Sequence, residues 1–181
     1  MMETRSPSEH QPRLMRAIGA LLRGQRVAAL ATLEADGSPF VSMVPFATEP
    51  EQACLVLHVS ALAQHTGNMA RDPRISLLVM QAEQADQPVH ALPRLSLLGR
   101  AGTPEPGGAS WAACRVAYLA RFPEAEPMTR LGDFRFVAIE LSGARQIAGF
   151  GAARSVDADE LRRILALSAE RPPRSAHRDS A

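Results

Sequence analysis

Extended apolar runs that are joined by very short turns constrain the fold of this chain more than any other feature. The run Val27 to Leu33 and the run Pro39 to Ala47 flank the hairpin turn Ala35-Asp36-Gly37, and a third run follows at Cys54 to Val59. Asp-Gly between two such runs is a strong hairpin signal. Parallel strands need a much longer crossover connection, so these strands are predicted to form an antiparallel meander.

Further segments place strands and helices around this meander. The spacing of apolar residues predicts helices at Arg13 to Gly24, Ser60 to Arg71, Ala109 to Arg121 and Asp157 to Leu167. More strands are predicted at Arg74 to Met80, at Leu95 to Gly99 and just beyond, and in a final hairpin of Asp133 to Leu141 and Arg145 to Phe150 around Ser142-Gly143. The predicted fold class is mainly β (α+β), a small barrel of six or seven antiparallel strands with peripheral helices.

Composition divides the chain into one folded domain and two loose ends. Residues 1–12 carry charges and prolines without an apolar period, and they are predicted to be a disordered lead-in. Residues 13–168 contain all the predicted elements and form the domain. Residues 169–181 are rich in proline and arginine and are predicted to be a flexible C-terminal tail.

Charge and residue usage exclude several classes of function. The 20 basic side chains, all of them arginine, nearly balance the 19 acidic ones. The resulting net charge of +1 removes the electrostatic reason to expect nucleic acid or an anionic membrane as a partner. Without lysine, Schiff-base catalysis and a P-loop are excluded. The polar N-terminus does not look like a secretion signal. The two cysteines, Cys54 and Cys114, are expected to be buried packing residues in a protein of the reducing cytoplasm.

One cluster of polar residues, at positions 60–68, lies where a strand passes into a helix. Backbone amides at a helix start favour an anion, and Ser60, His65 and Thr66 could add hydrogen-bond donors. A simpler interpretation is that Ser60 only caps the helix and that His65 faces solvent. Arg94 at a strand entry could likewise reach a ligand or be solvated, and Asp133 is most simply a turn residue. These patterns leave both interpretations open and predict no reaction.

Several short motifs together resemble one protein family. They are His65-Thr66-Gly67-Asn68-Met69, Asp72-Pro73-Arg74 with the strand that follows it, Arg94-Leu95-Ser96-Leu97-Leu98-Gly99-Arg100-Ala101, Tyr118-Leu119-Ala120-Arg121-Phe122-Pro123-Glu124-Ala125, and Gly149-Phe150-Gly151. Over residues 13–168 the chain resembles the pyridoxamine-phosphate-oxidase-like FMN-binding split barrels, in the branch that includes haem-utilisation proteins.

The resemblance implies a homodimer with two FMN sites at the subunit interface. It implies that the flavin phosphate binds near Ser60, His65 and Thr66 and that Arg94 faces the flavin. It also implies that the partner subunit's Phe150 approaches the ring. The ring itself would lie against the second strand, at Ser42, Met43, Val44 and Pro45.

The chain departs from true pyridoxamine-phosphate oxidases in its charges. The second strand, Phe40 to Pro45, carries none, and Ala63-Gln64-His65 stands where those oxidases have a Ser-Arg-Lys triplet. Their C-terminal substrate motif of arginine and histidine is also missing. Oxidation of vitamin B6 is therefore not expected. The main hypothesis is a cytoplasmic FMN-dependent oxidoreductase that acts on another small molecule, with no catalytic residue assigned.

Two alternatives accompany this hypothesis. In haem-degrading relatives a histidine near the C-terminus is the axial ligand of the iron, and an acidic residue of the other protomer can support it. His177 and Asp133 are the candidates for these roles, so the dimer interface would bind or degrade haem. The second alternative is a dimer that binds flavin without catalytic turnover.

Overall fold

The computed structural model describes residues 7–85, 87–149 and 153–167, with side chains described from residue 12 onward. Its helices are α1 (Pro7–Gly24), α2 (Gln64–Arg71), α3 (Ala109–Arg121) and α4 (Ala158–Leu167), with two further 3₁₀ segments at Val89–Ala91 and Pro123–Arg130. Its strands are β1 (Val27–Leu33), β2 (Pro39–Pro45), β3 (Ala47–Glu49), β4 (Cys54–Ser60), β5 (Arg74–Met80), β6 (Arg94–Gly102), β7 (Phe134–Ile147) and β8 (Ala153–Asp157).

Strands β2 and β3 lie at opposite edges of the sheet although only Phe46 separates them in the chain. The strand order is β2-β1-β5-β6-β7-β4-β3, and β8 pairs with β7. Every pair is antiparallel. Because its two edge strands are neighbours in the chain, the sheet must curl, and the buried Phe46 packs in its interior. The predicted antiparallel split barrel with helices is confirmed, and the described residues contribute eight strands to it.

Both faces of β4 are buried, so hydrophobic cores lie on both sides of the sheet. Leu55 and Leu57 point into the barrel interior, where α1 and α4 also pack. Cys54 and Val56 point to the other face, into a second core that α3 covers. Side chains alternate between the two faces of a strand. A strand that is buried on both faces therefore needs a continuous apolar sequence, as the run from Cys54 has.

Two helix starts differ from the predictions. Helix α1 begins at Pro7 rather than Arg13, because its first turns lack the apolar spacing on which the prediction rested. Helix α2 begins at Gln64 rather than Ser60, and its N-cap, Ala63, makes no side-chain capping bond. Ser60 instead ends β4, and its carbonyl oxygen accepts a hydrogen bond from the Ala63 amide at 3.2 Å. The prediction that Ser60 caps this helix is therefore wrong.

The predicted hairpin at Ser142-Gly143 is a β-bulge within one long strand. Leu141 pairs with Gly99 and Gly143 pairs with Leu98, so Ser142 is left without a partner on β6. An extra residue of this kind bends a strand without ending it. The strand that does pair back onto the end of β7 is β8, which the sequence did not predict.

Within these described ranges, none of the helices is long and apolar enough to cross a lipid bilayer.

Candidate functional site

Two of the predicted site residues, Ser42 and His65, meet between β2 and α2. Ser42 Oγ lies 3.0 Å from His65 Nδ1. The His65 ring is partly buried, and its Nε2 atom is buried with no hydrogen-bond partner among the described residues. Burial lowers the pKa of His65 below its usual 6.5, because desolvation opposes the charged imidazolium. The pair therefore presents a neutral imidazole that Ser42 holds in one orientation.

A second polar group lies near the start of α2 and consists of Ser60, Thr66 and Asp133. The Thr66 hydroxyl donates to the Ser60 carbonyl oxygen at 2.7 Å. The Ser60 hydroxyl donates to Asp133 Oδ2 at 3.3 Å and accepts from the Leu62 amide at 3.2 Å. Both hydroxyls are thus engaged within the protein, and a carboxylate stands beside them. Its negative charge disfavours a phosphate dianion at this position.

The second strand does not present its four predicted residues on one surface. Val44 is 2% exposed and packs in the barrel core, and Ser42 faces the same side as it bonds His65. Met43 is 66% exposed on the opposite side, as the alternation of a strand requires. Pro45 ends the strand on the side of Met43, and it is partly buried.

Arg94 lies apart from the Ser42–His65 pair. It begins β6, three strands from β2 in the sheet order, where it pairs with Met80 of β5. Its guanidinium donates to the Leu92 carbonyl oxygen at 3.1 Å. The other two predicted contacts, Phe150 and His177, lie outside the described residues.

Asn68 is a fully buried residue to which the sequence assigned no role. Its Nδ2 donates to Thr32 Oγ1 of β1 at 3.0 Å, while its Oδ1 accepts from Arg71 at 2.7 Å and from Gln64 at 3.3 Å. The bond to Thr32 fixes α2 against β1 and so helps to fix the position of His65, while the bonds with Gln64 and Arg71 lie within α2. The motif at residues 65–69 contains the only sequence signal for this role, an asparagine on the inner side of a short helix.

The outer side of β2, β1, β5 and β6 is an apolar surface, which we call the outer face. Val41 is 63% exposed, Met43 66% and Leu98 55%, and the residues between them in the pairing register are Ala29, Ala31, Ser76 and Leu78. Exposed apolar side chains grouped in this way are typical of binding sites or subunit interfaces.

His58 lies in the second core and is closed to solvent. It is 8% exposed, and its ring centroid lies 4.6 Å from that of Phe136 and 5.1 Å from that of Phe134. Burial lowers the pKa of His58 below 6.5. These contacts make His58 a packing residue of the second core.

Comparisons with known proteins identify similar chains. The family model described as pyridoxamine 5'-phosphate oxidase matches residues 14–148. The heme oxygenase HutZ of Vibrio cholerae is 28% identical over 152 residues, which span 83% of this chain and 85% of that protein. The chloroplastic non-canonical heme oxygenase HOZ of Arabidopsis thaliana is 33% identical over 138 residues, which span 75% of this chain and 40% of that protein.

A solved structure has the same fold. The heme binding protein from Mycobacterium smegmatis superposes with a TM-score of 0.74 and is 29% identical, and the match covers 83% of this chain and 60% of that one. The two heme oxygenases and this solved structure are thus named for haem. The main hypothesis of an FMN-dependent oxidoreductase is therefore wrong, whereas the alternative of a flavin-binding dimer without turnover stays a prediction. The comparisons favour the haem alternative.

Proposed function

The chain belongs to the pyridoxamine 5'-phosphate oxidase family, and we propose that within this family it binds and degrades haem. The observation that carries the proposal is its similarity to two heme oxygenases, over 83% and 75% of its length. The carboxylate of Asp133 beside Ser60 adds support, since it leaves the start of α2 poorly suited to a flavin phosphate.

The histidines with described side chains restrict where an iron ligand can lie. His58 is enclosed by aromatic rings, and the Nε2 atom of His65 is buried while its Nδ1 contacts Ser42. Neither ring offers a nitrogen to an iron atom at the surface. His90 is exposed in the 3₁₀ segment Val89–Ala91 just before β6, and its backbone carbonyl oxygen lies 3.5 Å from the Arg94 guanidinium. We retain His177, which the resemblance implies, as the residue that would bind the iron.

Asp133 is suited to support such a ligand from the other protomer. Its side chain is exposed, and its backbone is fixed where its carbonyl oxygen accepts the Ala61 amide at 2.6 Å. A histidine that binds a metal usually donates its other ring N–H to a carboxylate or a carbonyl oxygen. In the proposed dimer, Asp133 accepts this hydrogen bond from the partner subunit's His177.

The outer face is the proposed dimer interface and borders the proposed haem site. Its exposed Val41, Met43 and Leu98 would be buried against a second copy or against the apolar porphyrin. Arg94, which pairs with Met80 at the rim of this face, would bind a haem propionate. Bound haem would supply the iron chemistry, while the chain would hold the porphyrin and exclude bulk water from it.

The test is a titration of the purified protein with haemin, followed by desalting and an absorption spectrum. We expect the protein to retain a Soret band and, with an electron donor and oxygen, to lose it as the haem is degraded. A parallel sample receives FMN. Failure to retain haemin, or retention of FMN in its place, would contradict the proposal.

Variants test the ligand and its support separately. His177→Ala is expected to abolish the ligand-field features of the haem complex, and Asp133→Asn to shift them. His90→Ala, at an exposed histidine, is the matched control and should leave the spectrum unchanged. An unchanged spectrum in His177→Ala would refute the ligand assignment without refuting haem binding.

The dimer is tested by sedimentation. Val41→Glu places a charge on the outer face and is expected to yield monomers. Val116→Glu is the matched control, since Val116 is 69% exposed on α3, away from that face. A monomeric wild-type protein, or a dimer in both variants, would contradict this interface.

A further inference from the structure

The pairing register places Arg145 of β7 beside Arg94 of β6 on the outer face. Arg94 lies opposite Ile147, and Ser96 lies opposite Arg145. Arg94 and Ser96 share one face of β6 because side chains alternate along a strand, and Arg145 shares that face because paired residues point to the same side. Residues diagonal to each other across an antiparallel pair lie about 7–8 Å apart, within reach of long side chains. Two arginine side chains therefore leave the sheet as neighbours at one rim of the outer face.

The surroundings of Arg145 favour the binding of an anion. The residue is exposed, and its guanidinium donates a long hydrogen bond of 3.3 Å to Ser155 Oγ. Among the residues that the structure describes, neither Arg94 nor Arg145 forms an ion pair. The nearest carboxylate in the register is that of Asp157, which lies two residues beyond Ser155 on the side away from Arg94 and accepts the Glu160 amide at 2.8 Å. This rim is therefore positively charged.

The opposite end of the outer face carries charges of both signs. There Arg74 forms an ion pair with Asp72 at 2.5 Å, and Arg100 lies opposite Glu140 in the register. An anion gains less at that end, because the carboxylates oppose it. The face is thus electrostatically asymmetric, and a ligand that is apolar at one edge and anionic at the other is expected to bind it in one orientation.

The floor between the two ends suits a flat apolar molecule. Ala31 lies opposite both Val41 and Ser76, and Ser76 lies opposite Leu98. The two central residues of this row are small, whereas Val41 and Leu98 at its ends are large and exposed. A planar ring can therefore lie on the small residues with apolar side chains on two sides of it.

We propose that Arg145 binds the second propionate of haem beside Arg94, so that the two arginines set the orientation of the porphyrin on the outer face. The inference rests on the proposed function and adds a specificity-determining residue to it. Haem carries two propionates side by side on one edge of an apolar ring, which matches two arginines at one rim of an apolar surface. A guanidinium has five N–H donors and binds a carboxylate through two of them, so Arg94 keeps donors for a ligand beside its bond to Leu92. A ring without carboxylates gains nothing from this rim and binds more weakly.

The test measures binding of iron-free protoporphyrin IX and of its dimethyl ester to the full-length protein by porphyrin fluorescence. Without iron, the result does not depend on His177. We expect the wild type to bind the diacid more tightly than the ester, and Arg145→Gln to weaken binding of the diacid about 10-fold without changing that of the ester. Arg145→Lys keeps the charge and should restore part of the affinity. Arg130→Gln, at a side chain that is 75% exposed on the 3₁₀ segment Pro123–Arg130, is the matched control.

Each failure has its own signature. Equal wild-type affinities for the diacid and the ester would overturn the proposal, and this result does not depend on the folding of any variant. Equal losses of both affinities in Arg145→Gln, or unchanged binding of both, would overturn it as well. In these cases haemin retained by the wild type would leave the proposed function standing, whereas a wild type that retains neither haemin nor protoporphyrin would overturn both.

Discussion

The Ser42 hydroxyl lies 3.0 Å from Nδ1 of His65, and this contact joins the edge strand β2 to helix α2. β2 pairs with β1 along only one of its sides. The contact therefore holds an edge that the sheet secures weakly, next to the outer face on which the proposed haem site and dimer interface depend.

Ser42→Ala is expected to destabilise the protein by about 1 kcal/mol, the usual net value of one hydrogen bond between side chains. Chemical denaturation measures the loss, with Ser96→Ala, at an exposed serine of β6, as the control. Equal stabilities of the two variants would mean that the contact contributes nothing.

Asn68→Leu is expected to cost about 2 kcal/mol, because it leaves the buried Thr32 hydroxyl without its partner. Adding Thr32→Val should restore part of this stability, since two apolar groups then replace both members of the pair. The double-mutant cycle is measured by denaturant unfolding. Simple addition of the two single losses would contradict the coupling of β1 to α2 through this bond.

The strands of the barrel could be predicted from the sequence because their burial follows the pattern of apolar residues. The continuous run from Cys54 matches a strand that is buried on both faces, and the turn at Asp36-Gly37 fixes the first hairpin. β8 could not be predicted, because Val156 is the one large apolar residue in it and pairing with β7 specifies it. The bulge at Ser142 could not be predicted either, because Ser-Gly is also a common turn sequence.

The candidate site was only partly predictable for a different reason. The sequence placed Ser60 and His65 in one cluster and the resemblance added Ser42 and Asp133, but the pairs Ser42–His65 and Ser60–Asp133 depend on contacts 23 and 73 residues apart. Spacing along a chain contains no information about such contacts. The same holds for Cys54 and Cys114, which were predicted to be packing residues and do pack, both in the second core.

The stability of the protein should fall as the pH drops below about 6.5. Burial lowers the pKa of His58 and His65 in the folded state. Below pH 6.5, the ordinary pKa of histidine, the unfolded chain therefore binds more protons than the folded protein. His58→Phe removes one of these titrations and loses no hydrogen bond, because Nδ1 of His58 has no partner among the described residues. Its melting temperature should therefore fall less between pH 7 and pH 5 than that of the wild type.

His90→Gln, at an exposed histidine, is the control for this experiment and should follow the wild-type curve. If His58→Phe and the wild type lost stability in parallel, another group would have to account for the pH dependence.

Gly99→Ala is expected to destabilise the protein by about 2–3 kcal/mol, because the bulge in β7 brings a backbone oxygen against β6. A Cβ at Gly99 would lie 2.6 Å from the Glu140 carbonyl oxygen and 3.0 Å from a methyl group of Ile139. Neither can move without shifting β7, to which β8 is also paired. Gly102→Ala, in the same strand, is the matched control, since its nearest neighbour would be the Ala138 carbonyl oxygen at 3.8 Å. Denaturant unfolding compares the two variants. A large loss at Gly99 with little change at Gly102 is expected, and equal losses would show that strand propensity, rather than the close approach at the bulge, requires glycine there.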